Sequence, residues 1–406
     1  MGASTRRRAQ SLAMVVLALV SVTALLAYAV FADGYPVRKV DLNDSGIWVT
    51  SNSDATFGRF NKSASFLDAY FSPPGGAQGG YDLDVLQDQG SVVARDSGGA
   101  TAYPVNVDTG RSVKDAGADI PTTTVVKMAG GTIAALDPLT GKIWAMRYDP
   151  GVQVPALSPL SSTASPIANV GAPPKADAEP ASFAALAVGV DGSVHAVTRA
   201  GRLVTIPVSG GAFAKPVSST VAGQLGVVDI SAIGPTPVVL DATAGTVYVG
   251  GNSTTVPVEK DSARLQTPVA SGGIAVAASN GLYTVDASGS SVKTLTEAAG
   301  SAPAAPVEAS GCLWAAWAGT PGTVVRSCNG AGAAPVGIAD LGTLSQPVFR
   351  VNRGVAVLND VTDGGIVDLE LNRKIDPWQE VRPPDVKAQD QAPQKQQVED
   401  KKNKPK

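Results

Sequence analysis

Short runs of apolar residues alternate with turn residues along most of this 406-residue chain. Within each run the hydrophobic side chains tend to recur at every second position, and Gly, Pro, Asp, Asn and Ser separate one run from the next. After residue 33 almost no helical periodicity appears. Period-two alternation bounded by turn residues is typical of β-strands. The pattern therefore predicts an all-β domain.

A glycine followed by β-branched or aromatic residues recurs along the chain and marks one strand of each repeat. Pro237 stands in the place of the glycine in one repeat. The other seven marker glycines are Gly46, Gly90, Gly131, Gly192, Gly273, Gly311 and Gly354. The interval from 46 to 354 is 308 residues, so seven repeats have a mean length of 44.

Each repeat carries the same succession of strands. A short strand precedes the marker glycine, a second follows it, a third begins after the next turn, and a more variable fourth leads out. Four strands in about 40–50 residues is the size of a propeller blade. We therefore predict a β-propeller over residues 35–382, with eight blades or alternatively seven, and with the chain ends meeting in one blade.

Two segments depart from the repeat. Residues 155–180 are rich in Pro, Ala and Ser and lack strand alternation, so we expect an inserted surface loop, or alternatively a lid or a partner-binding loop. Residues 383–406 are charged and polar and contain no aromatic side chain, which is typical of a disordered linker or tail.

The first 32 residues have the pattern of a membrane anchor. Arg6, Arg7 and Arg8 precede the uncharged run at 11–32. About 20 apolar residues cross a bilayer, and a basic flank stays in the cytoplasm. We therefore predict a cytoplasmic tip at 1–10, a single transmembrane helix at 11–32, and a plasma-membrane protein whose bulk lies outside the cell. A cleaved signal peptide is the alternative, but the apolar run exceeds the usual 7–15 residues of such a peptide.

Composition excludes several classes of site. The net charge of −3 argues against a nucleic-acid partner, because such proteins normally present a basic face. One histidine and two cysteines cannot supply a multi-histidine metal site or a zinc ribbon, and they make a His-dependent triad improbable. We predict no catalytic residue, no metal site and no cofactor.

The two cysteines are the strongest local signal. Cys312 and Cys328 lie symmetrically about the turn at residues 319–322, so hairpin pairing places them opposite each other. Cross-strand β-carbons lie at about 4.5–5.5 Å, close to the spacing that a disulfide needs. An extracytoplasmic location permits oxidation. We predict a structural disulfide between them.

Other polar residues have ordinary structural explanations. His195 alternates with apolar neighbours and no nucleophile motif accompanies it, which favours a strand-face histidine over a general base. Four tryptophans on predicted strands, at 48, 144, 314 and 317, are expected to pack between blades, with one or two at the propeller mouth as the alternative for stacking on a sugar. Three acidic groups could offer oxygen ligands to calcium, but turn chemistry explains them better; they are Asp41, Asn43 and Asp44, then Asp82, Asp84 and Asp88, then Asn359, Asp360 and Asp363.

Several segments resemble one protein family. LNDSGIWVT at 42–50, GRFN at 58–61, DVLQD at 84–88 and WQEVRPP at 378–384 resemble large actinobacterial membrane-anchored envelope proteins. The resemblance implies a basic tip, one transmembrane helix, a propeller-like region and a following array of Ig-like or fibronectin type III domains. No such array follows Lys406, so we expect either the N-terminal part of a longer protein or a shorter relative. ALDPLTGKIW at 135–144 is similar to quinoprotein-like repeats, which implies fold only.

These observations predict a non-enzymatic, membrane-anchored binding or scaffold protein of the cell envelope. Its propeller loops would bind a protein or a cell-wall glycan. The alternative is an envelope enzyme that acts on a glycan or small molecule at the propeller axis, for which Tyr248, Tyr283, Arg202 and Arg326 would have to converge. A third hypothesis is an assembly factor that passes strands of other proteins along exposed blade edges.

Overall fold

Strands that follow one another in the chain pair antiparallel, so each repeat folds into its own small sheet. The computed structural model describes residues 46–74, 82–150, 154–172, 183–297, 300–331, 334–369 and 371–379. Eight sheets follow each other as blades, and a separate two-stranded hairpin accompanies the fourth. The only helices in these residues are two 3-10 turns at Lys114–Ala116 and Ser158–Leu160.

The first four blades take up residues 46–220. Blade 1 comprises β1 (Gly46–Ser51), β2 (Thr56–Asn61) and β3 (Phe66–Phe71). Blade 2 comprises β4 (Leu83–Asp88), β5 (Ser91–Asp96), β6 (Thr101–Asn106), β7 (Arg111–Ser112) and β8 (Ala118–Asp119). Blade 3 comprises β9 (Val125–Ala129), β10 (Thr132–Leu136), β11 (Lys142–Arg147) and β12 (Ala168–Asn169). Blade 4 comprises β13 (Ala184–Val188), β14 (Val194–Thr198), β15 (Arg202–Ile206) and β18 (Val217–Thr220), with the hairpin β16 (Val208–Ser209) and β17 (Ala212–Phe213) beside it.

The last four blades take up residues 228–375. Blade 5 comprises β19 (Val228–Ile233), β20 (Thr236–Asp241), β21 (Thr246–Val249) and β22 (Asn252–Thr255). Blade 6 comprises β23 (Arg264–Leu265), β24 (Ile274–Ala278), β25 (Gly281–Val285) and β26 (Val292–Thr296). Blade 7 comprises β27 (Ala302–Pro303), β28 (Val307–Ala309), β29 (Cys312–Ala318), β30 (Gly322–Cys328) and β31 (Val336–Ile338). Blade 8 comprises β32 (Pro347–Asn352), β33 (Val355–Asp360), β34 (Ile366–Asp368) and β35 (Arg373–Ile375).

Four of the seven marker glycines lie in two-residue hairpin turns: Gly90, Gly131, Gly311 and Gly354. In blade 7 the turn is Ser310–Gly311, with φ of +50° and +72°, between the paired residues Ala309 and Cys312. Blade 8 repeats this arrangement at Arg353–Gly354, with φ of +48° and +77°. Two-residue turns with both φ values positive match the twist of paired strands and favour glycine. The repeat pattern of the sequence therefore reports these turns.

The core is distributed over the contacts between blades. Eight clusters of buried side chains are found, and each joins the facing sides of two neighbouring blades. The eighth joins Ile47, Val49 and Phe60 of blade 1 to Val357 and Ile366 of blade 8, so the ring is closed. The prediction of an eight-bladed all-β propeller is confirmed, and the seven-bladed alternative is wrong.

The tryptophans lie in these clusters. Trp48 packs between blades 1 and 2, Trp144 between blades 2 and 3, Trp314 between blades 7 and 8, and Trp317 between blades 6 and 7. Each indole thus fills space between two sheets, as the strand pattern predicts.

Blade 1 has an unusual inner edge. The Trp48 N–H donates a hydrogen bond to the Gln87 side chain, and the Leu83 N–H donates one to the Asn52 side chain. Because the end of β1 lies beside the start of β4, the two neighbouring strands run antiparallel. Within the described residues β1 has no strand partner on this side, and two buried or half-buried amides take that place. The Gln87 amide accepts from the Trp48 N–H at 3.1 Å and donates to its carbonyl at 3.2 Å. The Asn359 amide does the same to Thr50, at 2.9 and 3.0 Å.

The closure between blades 8 and 1 uses side chains. Trp378, which follows the last strand, is fully buried and donates its indole N–H to the Gly364 carbonyl at 2.7 Å. A Cβ on Gly58 would lie 2.8 Å from this indole, so the ring packs directly against the β2 backbone. A blade shared by both chain ends is not seen in the described residues, because blades 1 and 8 each consist of consecutive strands. The short strand expected before Gly46 lies outside the described part.

The insertion differs in part from the expected surface loop. Leu157 and Leu160 of residues 154–172 are buried in the cluster between blades 2 and 3. Residues 168–169 also supply the fourth strand of blade 3. These two leucines, three residues apart, fill a hydrophobic gap between blades 2 and 3 that the composition of the insertion does not predict. Residues 173–182 lie outside the described part, as do 1–45 and 380–406.

We predict that Asn359→Ala weakens the ring closure. The change leaves the buried Thr50 N–H and carbonyl without partners, which should lower the free energy of unfolding by about 3 kcal/mol. Asn280→Ala is a matched control, because the Asn280 amide also bonds two backbone groups, the Glu259 N–H and the Pro257 carbonyl, but in an exposed turn. Its loss should be under about 1 kcal/mol. Urea unfolding followed by tryptophan fluorescence measures both, and equal losses would contradict the closure role.

Candidate functional site

Two clefts open on one face of the propeller, on either side of blade 7. This face carries the turns between the first and second strands of blades 7 and 8. The cleft between blades 7 and 8, here called the 7–8 cleft, has a volume of about 700 Å³. The cleft between blades 6 and 7, here called the 6–7 cleft, has a volume of about 510 Å³. Both volumes fall in the range of about 300–1,000 Å³ that is usual for ligand sites.

The 7–8 cleft has an apolar floor and a polar rim. The floor includes Trp314 from blade 7 and Val355, Ala356 and Leu369 from blade 8. The polar side chains at this cleft are Lys62, Ser63, Ser310, Arg326 and Asp368. The Ser310 hydroxyl donates to the Gly354 carbonyl at 2.8 Å and so ties the first turns of blades 7 and 8 together.

Arg326 and Trp314 form a pair across the β29–β30 hairpin. They are directly opposite in the register, and the guanidinium carbon lies 5.2 Å from the centre of the indole ring. Trp314 is only 8% exposed, whereas Arg326 is exposed. In the described part of the chain, the Arg326 guanidinium makes no hydrogen bond and no ion pair. The guanidinium N–H donors are coplanar, and contact with an aromatic ring restricts the positions that they take.

The predicted disulfide is present at the edge of this pair. Cys312 and Cys328 are opposite each other, with an S–S distance of 1.97 Å and a Cα–Cα distance of 4.2 Å. They stand two residues before Trp314 and two after Arg326, so both pairs lie on the side of the hairpin that faces blade 8. The disulfide therefore fastens the end of the hairpin that carries the stacked arginine.

Two of the charged side chains of the 6–7 cleft, Asp286 and Lys293, are already engaged. Asp286 accepts hydrogen bonds from the Ser291, Ser290 and Ser288 side chains, and the Ser291 bond is the largest cause of its lowered pKa. Lys293 donates to the Gly330 carbonyl at 3.0 Å. These two charged groups are therefore less open to a ligand than the Arg326 guanidinium of the 7–8 cleft.

An ion pair between the buried Arg350 and the half-exposed Asp84 lies where the inner strands of blades 8, 1 and 2 meet. Arg350 of β32 donates to Asp84 of β4 at 2.5 Å and to the Val85 carbonyl at 3.1 Å. Burial alone would raise the pKa of Asp84, but Arg350 and then Lys127 hold it below its usual value. The pair joins blade 8 directly to blade 2, although blade 1 lies between them in the ring. We therefore assign it a structural role.

The four residues required by the enzyme alternative are not brought together. Arg202, Tyr248, Tyr283 and Arg326 lie on the third strands of blades 4, 5, 6 and 7. Third strands are separated from the axis by two others, so these side chains lie apart from each other. The Tyr283 hydroxyl donates to the Pro257 carbonyl at 3.1 Å.

His195 is a buried strand residue. Its Nδ1 lies 3.2 Å from the Thr205 hydroxyl, and its Nε2 has no hydrogen-bond partner in the described residues. Burial lowers the pKa of His195 from 6.5 to about 4, although the Asp191 charge opposes this shift. The imidazole is therefore neutral at physiological pH.

The acidic groups serve turns and ion pairs. Lys374 donates to both Asp360 and Asp363 at 2.7 Å, and Asp88 accepts from the Tyr148 hydroxyl at 2.6 Å. Within the described ranges no group of three or more His, Cys, Asp or Glu side chains could hold a metal ion. Asp41, Asn43 and Asp44 lie outside those ranges.

The predicted anchor also lies outside the described part, as do Arg6, Arg7 and Arg8. None of the helices that the structure does describe has the length and hydrophobicity required to cross a membrane.

The pairing of Arg326 with Trp314 was missed by the sequence analysis, although the signal is there. Residues 314 and 326 are symmetric about residue 320, as 312 and 328 are. The same hairpin argument that pairs the cysteines therefore pairs these two. No comparable signal identifies Gln87 and Asn359, because their partners are backbone atoms of another blade.

Comparison with solved structures supports the fold. BamB from Moraxella catarrhalis is 12% identical, with 80% of this chain and 93% of that chain covered and a TM-score of 0.51. The dihydro-heme d1 dehydrogenase NirN, in complex with DHE, is 13% identical, with 82% and 72% covered and a TM-score of 0.52. The computationally designed protein Ika8 is 14% identical, with 79% and 92% covered and a TM-score of 0.51. No protein-family model and no curated protein matches the sequence. Identities this low show a shared fold and not a shared function.

We predict that the disulfide stabilises the protein by about 3 kcal/mol, as the chain-entropy estimate gives for a loop of this length. Replacing both cysteines, in Cys312→Ala with Cys328→Ala, should lower the free energy of unfolding by that amount. Unfolding in denaturant measures it, with and without a reductant. The reductant should destabilise the natural chain and leave the double variant unchanged. A natural chain that is insensitive to reductant would contradict the prediction.

We predict that His195 makes the stability dependent on pH. The unfolded chain takes up a proton near pH 6.5, whereas the folded chain resists it until about pH 4, so stability falls as the pH is lowered through this window. Between pH 7.5 and pH 5 the contribution is about 2 kcal/mol. His195→Leu should remove that part of the pH dependence in denaturant titrations at the two pH values. Identical pH profiles for the two proteins would show that the imidazole is not shielded.

Proposed function

We propose that this chain is a membrane-anchored, extracytoplasmic binding or scaffold protein of the cell envelope. It holds an eight-bladed propeller outside the plasma membrane and binds a protein or a cell-wall glycan through loops of the face that carries the two clefts. Nucleic acid is not among its partners. The resemblance to actinobacterial envelope proteins supports the same assignment and suggests that the chain is part of a longer multidomain protein.

The clefted face is the observation that carries the proposal. It combines an apolar floor with a stacked arginine that has open donors, and a disulfide fastens the hairpin beneath it. Rigid elements position a binding side chain more firmly than a loop does. A disulfide also suits an oxidising compartment, which agrees with the predicted location of the propeller.

Anchoring and topology rest on the N-terminal sequence. The basic cluster at 6–8 and the uncharged run at 11–32 match a span whose basic end stays inside. Binding rather than catalysis is supported by the separation of the polar residues that the enzyme alternative needed. Those residues lie on third strands of four different blades.

Site-specific photo-crosslinking in native membranes tests the proposal. A photoreactive residue replaces Ser63, an exposed residue at the 7–8 cleft, in the full-length chain. The matched control replaces Ala244, an exposed residue in the turn between the second and third strands of blade 5, on the opposite face. We expect a discrete adduct from position 63 and little from position 244, in a membrane fraction that survives a carbonate wash.

Two results would overturn parts of the proposal. Equal or absent adducts at both positions would remove the binding role of this face. A chain released by the carbonate wash, with a mature N-terminus near residue 30, would replace the anchor by a cleaved signal peptide.

A further inference from the structure

We propose that the 7–8 cleft binds an acidic segment of a partner protein, with a carboxylate on the Arg326 guanidinium and an adjacent aliphatic side chain on the cleft floor. The inference rests on the proposed binding function and names the ligand class for that face. It depends on three features of the cleft: the state of Arg326, the chemistry of the floor and the charge at the rim.

Arg326 is prepared for a planar anion. The indole of Trp314 supports one face of the guanidinium at 5.2 Å, and the group makes no hydrogen bond or ion pair in the described part of the chain. Guanidinium N–H groups match the two oxygens of a carboxylate as a pair of parallel donors. Because the arginine is already held, less side-chain entropy is lost when the ligand binds.

The hairpin beneath Arg326 is unusually well fastened. The disulfide joins the residue pair next to it, and the Ser310 hydroxyl ties the turn of blade 7 to Gly354 of blade 8. The disulfide braces the hairpin of blade 7, and the Ser310 hydrogen bond holds its first turn against blade 8. A braced hairpin selects one extended segment better than a mobile loop would.

The floor favours a peptide over a sugar. Sugar rings stack on open aromatic faces, but Arg326 covers the accessible face of Trp314, which is itself only 8% exposed. The rest of the floor is aliphatic, from Val355, Ala356 and Leu369. Aliphatic surface suits the side chain of a leucine or valine next to an acidic residue, and it offers no hydrogen bonds to sugar hydroxyls.

The formal charge of the rim is positive. The rim carries two basic side chains, Lys62 and Arg326, and one carboxylate, Asp368. The 6–7 cleft has the opposite balance, with Asp286 and Glu308 against Lys293. An acidic ligand is therefore attracted to the 7–8 cleft and not to its neighbour, and the attraction should weaken with salt.

Binding of short synthetic peptides tests the proposal. The probe is a labelled, end-capped peptide in which glutamates alternate with leucines, and its counterpart carries glutamines instead. Fluorescence anisotropy with the full-length chain in detergent should show binding of the glutamate peptide, with an affinity at least about tenfold above that of the glutamine peptide. A labelled oligogalacturonate is the third probe, which carries carboxylates on a glycan.

Matched variants locate the site. Arg326→Gln should reduce the affinity for the glutamate peptide about tenfold, because charge-assisted hydrogen bonds are lost. Arg326→Lys should give a smaller loss, since it keeps the charge and loses the planar pair of donors. Arg202→Gln changes an exposed arginine on the corresponding third strand of blade 4 and should leave the affinity unchanged. Thermal unfolding confirms that all three variants fold.

The outcomes separate this inference from the proposed function. Equal binding of both peptides, or an unchanged affinity in Arg326→Gln, would overturn the acidic-segment site. Tighter binding of the oligogalacturonate than of the peptide would replace the protein ligand by an acidic glycan. If the peptide does not bind but the position-63 crosslink persists in Arg326→Gln, the face binds a partner by other contacts and only this inference fails.

Discussion

Burial between neighbouring blades is the interaction on which the rest of the molecule depends. A single four-stranded sheet cannot bury both of its faces, and here each sheet does so only against the next, through one hydrophobic cluster per contact. The core is therefore a ring, and the contact between blades 8 and 1 must be made as well as the other seven. The chain makes it with the Trp378 indole and with the Asn359 amide, while the Gln87 amide of blade 2 also bonds the open edge of β1.

This closure separates stability from binding. The Asn359 amide and the Trp378 indole act at the contact between the first and last blades, and the axial pair Arg350–Asp84 extends that contact to blade 2. The clefts lie instead at the turns, where neighbouring sheets leave space at the rim. Substitutions at the cleft rim should then change recognition without opening the ring. The pair of Trp314 and Arg326 connects the core with the cleft. The indole belongs to the core between blades 7 and 8, and the guanidinium faces the cleft.

The sequence predicts the repeated part of this structure well, since it depends on local chemistry. Glycines at positive φ report hairpin turns, alternation reports half-buried strands, and symmetry about residue 320 pairs Cys312 with Cys328. What it does not predict depends on contacts between distant segments. Asn359 bonds a residue 309 positions away, and Leu157 and Leu160 of a Pro-rich insertion fill a gap between two blades. The pair of Trp314 and Arg326 at the cleft could have been predicted by extending the hairpin argument from the cysteines to the next residues on the same face.

In blade 7 the groups proposed to bind a ligand lie on one hairpin of a repetitive fold. All eight blades present apolar faces to their neighbours, so a charged side chain lies either where the sheet reaches solvent or, like Arg350, where hydrogen bonds and an ion pair satisfy it. Arg326 lies where the sheet reaches solvent, near the end of a long third strand, and the adjacent disulfide prevents that end from fraying. The contact with the Trp314 indole restricts the guanidinium before a ligand binds, so less side-chain entropy is lost on binding.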